Sequence, residues 1–192
     1  MSGILCVLGA SGSGKSTLCS ELEKRYGLKS IPSYTTRAPR FNGEQGHTFV
    51  TEDEFDKLEN ILAYAETDNC RYAVTKEMFE DEQYSIYIID MTGLKYLYEH
   101  YHGGRPLISV FIDCDVYDRF KHMVYRTDLR TYYEKMEAAL HRIEHDAVEF
   151  NKQDIKENIN YIFVNHEEEF ENLVGMVSRI CRNYGIIGED ND

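Results

Sequence analysis

The residues Gly9-Ala10-Ser11-Gly12-Ser13-Gly14-Lys15-Ser16, followed by Thr17, fit the spacing G-x-x-x-x-G-K-[ST]. That spacing suits phosphate binding: the glycines let backbone N–H groups turn inward around a phosphate, and a helix starting there adds the positive end of its dipole. In such a loop the lysine reaches the outer phosphates of a nucleoside triphosphate, and the next hydroxyl, here Ser16, ligates Mg²⁺. A second group is Asp90, which ends the apolar run Ile86-Tyr87-Ile88-Ile89. A carboxylate at the carboxyl end of a parallel strand stands where open α/β sheets bind ligands, and it could hold Mg²⁺ through water or orient a substrate group. The alternative is a cap on a helix opening at Met91. A third group is Arg37 with Arg40, in a polar turn stiffened by Pro39. Planar guanidinium groups hold phosphate oxygens bidentately and neutralise charge when two polyanions meet.

These groups need a scaffold. The run from Gly3 to Leu8 is almost continuously apolar and ends in glycine, the pattern of a strand buried on both faces, and reads as the first, central strand. Leu18, Leu22 and Tyr26 follow at helical spacing, and Gly27 supplies a stop. Similar apolar runs at 84–89, 107–112 and 161–164, with helical stretches between, predict an α/β fold with a parallel sheet covered on both faces. The stretch 32–83 is polar and turn-rich, has brief strand-like pieces at 48–50 and 61–64, and reads as an insert. Within it, Thr51-Glu52-Asp53-Glu54 has the form of a capping box that opens a short helix. After the basic turn at 126–131, a longer helix from near Tyr132 is predicted to present Met136, Leu140, Ile143, Ala147 and Phe150 on one face.

Composition narrows the classes. A chain of 192 residues suits one compact domain. Its net charge of −13 disfavours a non-specific hold on nucleic acid or anionic lipid, so anionic ligands need local basic clusters. The five cysteines are scattered, odd in number and without a C-x-x-C pair, as expected of reduced thiols in a cytoplasmic protein. No signal-peptide pattern opens the chain, and no apolar run approaches the roughly 20 residues needed to span a bilayer. Neither a nucleic-acid nor a membrane partner is expected.

Thr35-Thr36-Arg37-Ala38-Pro39-Arg40, at this distance from a phosphate-binding loop, resembles the guanylate kinase family. The likeness continues through Gly46-His47-Thr48-Phe49, Asp90-Met91-Thr92-Gly93, the stretch 142–149, and Val164-Asn165. It implies one three-layer P-loop domain with core segments 1–31, 84–125 and 138–192, a nucleoside-monophosphate-binding insert at 32–83 and a lid at 126–137. It also implies transfer of the γ-phosphoryl group of ATP, with Mg²⁺, to a nucleoside monophosphate, GMP or dGMP first. By position, Gly9, Ala10, Ser11, Gly12, Ser13, Gly14, Lys15, Ser16, Thr17 and Asn165 would hold ATP. Ser33, Arg37, Arg40, His47, Tyr72, Asp90 and Arg142 would hold the acceptor. Lys15, Arg37, Arg126 and Arg142 would supply catalytic positive charge, the last two from in and after a lid that excludes water. Ser16 and Asp90 would serve the metal.

The resemblance thins where the base is read. The family recognises guanine with a glutamate and then a Tyr-Gly-Ser/Thr step, whereas a gapless reading puts Ala63 and Tyr72-Ala73-Val74 there. His47 stands where tyrosine is common, and Ile88 where a second acid is common; Glu66 and Thr75 lie near enough in sequence to substitute as base readers. Two alternatives stay open: a kinase for another phosphorylated acceptor, such as a modified deoxynucleotide or a sugar bisphosphate, and a non-catalytic phosphopeptide-binding module. Such modules generally lack a working P-loop, while Lys15 and Ser16 are present. His141-Arg142-Ile143-Glu144-His145 also fits the zinc pattern H-x-x-E-H, with no third ligand to assign.

Overall fold

The computed structural model describes residues 2–39, 42–44, 46–67, 69–125 and 130–188. Strand β1 (Ile4–Leu8) leads through the glycine-rich turn into α1 (Lys15–Tyr26), which ends at Gly27 with φ 67°. There follow β2 (Ser33–Thr35), β3 (His47–Phe49), α2 (Glu52–Phe55), β4 (Ile61–Thr67), β5 (Cys70–Thr75) and α3 (Lys76–Glu80). The chain continues through β6 (Ile86–Ile88), α4 (Met91–His100), β7 (Leu107–Asp113) and α5 (Val116–Val124). It closes with α6 (Tyr132–Glu149), α7 (Lys152–Asn158), β8 (Tyr161–Val164) and α8 (Phe170–Asn183).

Two sheets result. The first has the order β6-β1-β7-β8 and is parallel throughout, with β1 in the interior as its apolar run predicts. Side chains alternate across it: Leu5 and Val7 pack with Leu18 and Leu22 of α1 and Val174 and Val177 of α8, while Ile4, Cys6 and Leu8 pack with Leu94 and Leu97 of α4. Both faces are therefore covered, and the arrangement has three layers. The second sheet, β3-β2-β5-β4, is mixed, with β2 parallel to β3 and antiparallel to β5. Sequence reading sees only fragments of this sheet. The first half of β5 is only partly buried, so it lacks the continuous apolar run that marks the other sheet.

Local signals hold where partners are near in the chain. The Thr51–Glu54 capping box forms and opens α2. α6 starts at Tyr132 as expected, so residues 132–137 of the expected lid are its first turns. Its buried face, however, differs from the expected one: Leu140 is 54% exposed and Ala147 is exposed, whereas Ala139 and Asp146 are buried. The stripe is displaced because Asp146 turns inward to polar partners on the glycine-rich loop.

Candidate active site

The glycine-rich turn is built as its residue types require. Gly12 sits at φ 80° and Gly14 at φ 95°, a region disfavoured for L side chains. A Cβ on Gly12 would also stand 2.5 Å from the Arg119 carbonyl oxygen. Lys15 opens α1, and its Nζ donates to the carbonyls of Gly9 and, at 2.9 Å, Ala10. Ser16 and Thr17 lie exposed in the same first turn. Asn165, just beyond β8, is buried and donates from Nδ2 to the Ser13 carbonyl at 2.9 Å, supporting the loop.

Gly9, Ser11 and Lys15 line one side of a cleft of ≈ 250 Å³. From the second sheet and the turn after β2 the same cleft receives Ser33, Arg37, His47, Tyr64, Ala65 and Tyr72, and Asp90, Arg142, Asp146 and Glu149 also line it. The fold thus brings Lys15, Ser33, Arg37, His47, Tyr72, Asp90 and Arg142 to one place, although they are scattered along the chain. Arg40 and Arg126, expected at the acceptor and in the lid, lie outside the described residues, as does the rest of 126–129.

The polar side of the cleft is organised by pairs the sequence did not advertise. Glu44 accepts two bonds from Arg37, at 2.8 and 3.2 Å, and the Arg37 guanidinium lies 5.4 Å from the centre of the Phe49 ring. Burial works against the Arg37 charge, but Glu44 outweighs it and holds the pKa above its ordinary value. Ser33 Oγ meets His47 Nδ1 at 2.7 Å. Among the described residues, the buried side-chain polar atoms without a hydrogen-bond partner are Ser13 Oγ, Arg37 Nε, His145 Nδ1 and Asn165 Oδ1. Such atoms are uncommon in folded proteins, and their concentration on the loop and around the cleft marks a region arranged for something other than stability.

Asp90 has both of its expected roles open to it. Its Oδ1 accepts the Gly93 N–H at 2.6 Å and caps α4, while the residue also lines the cleft. Burial raises its pKa. Glu149 goes further: burial, reinforced by the nearby Asp90 charge, pushes it up to about 7. A carboxyl raised in this way contributes stability that is fully present below its unfolded value of 4.5 and lost as pH rises through about 7. Glu149→Gln is therefore expected to flatten the fall in melting temperature between those two pH values. Parallel melting curves for variant and wild type across that window would show Glu149 to be an ordinary exposed acid.

His145, Asp146 and Glu149 bring potential ligand atoms within 4.8 Å of one another. Asp146 is already committed to Arg119 at 2.6 Å and to the Ser11 N–H at 2.7 Å. This group takes only one histidine of the H-x-x-E-H pattern, and His141 is exposed.

No family model matches the chain. Individual proteins do. A guanylate kinase from Fusobacterium nucleatum is 38% identical over 81 residues, which cover 39% of this chain and 43% of that protein. One from Clostridium tetani is 34% identical over 120 residues, 57% of this chain and 56% of that protein. The crystal structure of guanylate kinase from Anaplasma phagocytophilum superposes with a TM-score of 0.59 at 22% identity, covering 95% of this chain and 86% of that one. The chain is similar to these guanylate kinases over part of its length. It shares their α/β P-loop fold, and its matches span about half the length of the curated relatives. Sequence reading did not single out Asp146 and Glu149, which line the cleft, or Glu44 and Arg119, which hold Arg37 and Ser11 of its lining.

Proposed function

We propose that this protein transfers the γ-phosphoryl group of ATP to a nucleoside monophosphate. The observation that carries this reading is the convergence of the P-loop lysine, Lys15, with Arg37 and Arg142 on a single cleft lined from both sheets. The first six loop residues and Lys15 would bind the donor phosphates, supported by Asn165, and Arg37 with Ser33, His47 and Tyr72 would bind the acceptor, Arg40 being assigned there by resemblance. Charge in phosphoryl transfer is spread over equatorial oxygens, so position and positive charge do most of the work, and no covalent intermediate on the protein is needed. Mg²⁺ favours hard oxygen ligands. The exposed Ser16 hydroxyl and the Asp90 oxygen not engaged with Gly93 fit that preference, and they would hold the ion that neutralises the triphosphate. No helix among the described residues is long and apolar enough to cross a membrane.

The relatives' names make GMP and dGMP the first acceptors to test. Ala63 and Val74 are cross-strand partners, 1% and 0% exposed, within the apolar layer that holds Tyr87 and Ile89. Neither side chain offers guanine a hydrogen bond, and Glu66 is exposed. A site built on buried bonds to its substrate rejects analogues by about 10⁴ or more, whereas apolar pockets discriminate by about 10–200-fold. The expected result is a kcat/KM for GMP within about 10²-fold of that for another monophosphate in a panel of GMP, dGMP, AMP, CMP and UMP. A GMP preference beyond about 10⁴ would mean that cleft groups such as Asp90 or Glu149 read the base. ADP release from no acceptor in the panel would remove the proposal.

A further inference from the structure

α5 and α6, which flank residues 125–131, both reach the glycine-rich loop. Arg119 of α5 donates from Nε to the Ser11 carbonyl at 2.9 Å and from Nη2 to Asp146 Oδ2 at 2.6 Å. The same carboxylate oxygen accepts the Ser11 N–H at 2.7 Å, and the Ser11 hydroxyl makes a longer bond of 3.3 Å to Oδ1. One ion pair therefore grips Ser11 by its amide hydrogen and its carbonyl together. The pair is buried, its side chains 12% and 5% exposed.

The next two carbonyls are held similarly. Gly12 accepts from His122 Nδ1 at 2.8 Å and Ser13 from Asn165 Nδ2 at 2.9 Å. In a trans peptide the N–H points opposite to the C=O. Fixing the Ser11 and Ser13 carbonyls against these donors consequently turns the Gly12 and Gly14 N–H groups away from α5 and Asn165. Buried ion pairs are weak contributors to stability, because desolvation offsets much of their attraction and an apolar replacement is often as stable. A pair closed around a single loop residue is better explained by geometry than by stability.

We propose that Arg119 and Asp146 are positioning residues of the donor site, fixing the Ser11 peptide so that the loop amides meet the phosphates of a nucleoside triphosphate. This rests on the kinase reading for its ligand, but not for its effect on the loop. The test is the double variant R119M/D146L, which removes both charges together, so that neither is left buried without the other. Its melting temperature is expected to stay near that of wild type, while KM for ATP rises about tenfold, the scale of a lost charge-assisted hydrogen bond. KM for the acceptor should change by less than about twofold, since the lost bonds were to the donor loop. Amide hydrogen exchange at residues 11–14 of the ligand-free protein should accelerate. R119K, which keeps the charge but cannot present two fixed N–H groups, should show the same two changes to a smaller degree and guards against a double variant that fails to fold. Unchanged exchange in the folded variants overturns the inference whether or not the wild type turns over. An unchanged KM for ATP in a protein that does turn over also overturns it. If the wild type forms no ADP with any monophosphate, the kinase reading fails, and the exchange rates alone decide whether the pair orders the loop.

Discussion

Replacing Lys15 by alanine is expected to leave the fold intact and to lower turnover by about a hundredfold or more, the usual loss when a preorganised charge stabiliser is removed from a reaction centre. Lys15 is the first residue of α1, a helix anchored by the buried side chains of Leu18, Cys19 and Leu22, none of which depends on the ammonium group. Alanine is the best helix former, so the helix start should survive the change. What disappears is the ammonium group held against the loop. Its Nζ bonds to two carbonyls of the loop itself, Gly9 and Ala10, so it rests beside the place where donor phosphates would lie. The measurement is ADP formation under saturating ATP and acceptor, with circular dichroism as the control for folding. Unimpaired turnover in a folded Lys15→Ala protein would exclude phosphoryl transfer at this loop.

Arg105→Leu is expected to cause the largest loss of stability of any single substitution considered. Arg105 is 4% exposed and lies just before β7. Its guanidinium donates to the carbonyls of Ser2 at 3.0 Å, Phe79 at 3.0 Å, Asp81 at 3.3 Å, Gly3 at 3.4 Å and Tyr84 at 2.6 Å. These bonds tie the start of the chain to the end of α3 and the approach to β6. Burial lowers the Arg105 pKa, yet a guanidinium remains charged at neutral pH. Leucine fills similar apolar space and leaves those carbonyls without their donor, which should cost about 3–5 kcal/mol, the range for breaking a buried charged network. For a chain of this length each kcal/mol lowers the melting temperature by about 2–4 °C, so a fall of roughly 6–20 °C is expected. Arg105→Lys should recover only part of it, since one ammonium with three donors cannot reach so many acceptors. A fall of less than about 3 °C for Arg105→Leu would mean that water or backbone adjustment replaces the guanidinium.

The parts of this protein legible in its sequence are those whose physical cause is local. The alternation and continuity of apolar residues from Ile4 to Leu8 required a strand buried on both faces. The glycines between that strand and a helix required a tight turn, since few residue types adopt those backbone angles. Thr51 and Glu54 cap each other across three residues, and that helix start was equally readable. The arginine motif of residues 35–40, read by resemblance, directed attention to Arg37, and the fold brings Arg37 to the same cleft as Lys15.

Tertiary structure decided the rest, because the partners are distant in the chain. β2 and β5 pair with each other and with β3 and β4 in a mixed sheet, of which only β4 carries an apolar run visible in the sequence. On α6, helical periodicity favoured Ala147 for the buried face, yet Asp146 turns inward because Ser11, 135 residues away, and Arg119, 27 residues away, supply its hydrogen bonds. A carboxylate is indistinguishable in sequence from a solvated one until its partners are known, and the same holds for the arginine buried among backbone carbonyls at position 105. Glu149 likewise reads as an exposed helix acid, and only its burial beside Asp90 lifts it to about 7. Charged groups on a helix face are solvated by default; the tertiary fold decides which of them are enclosed, and enclosure without partners costs too much for a charge to remain there unpaired.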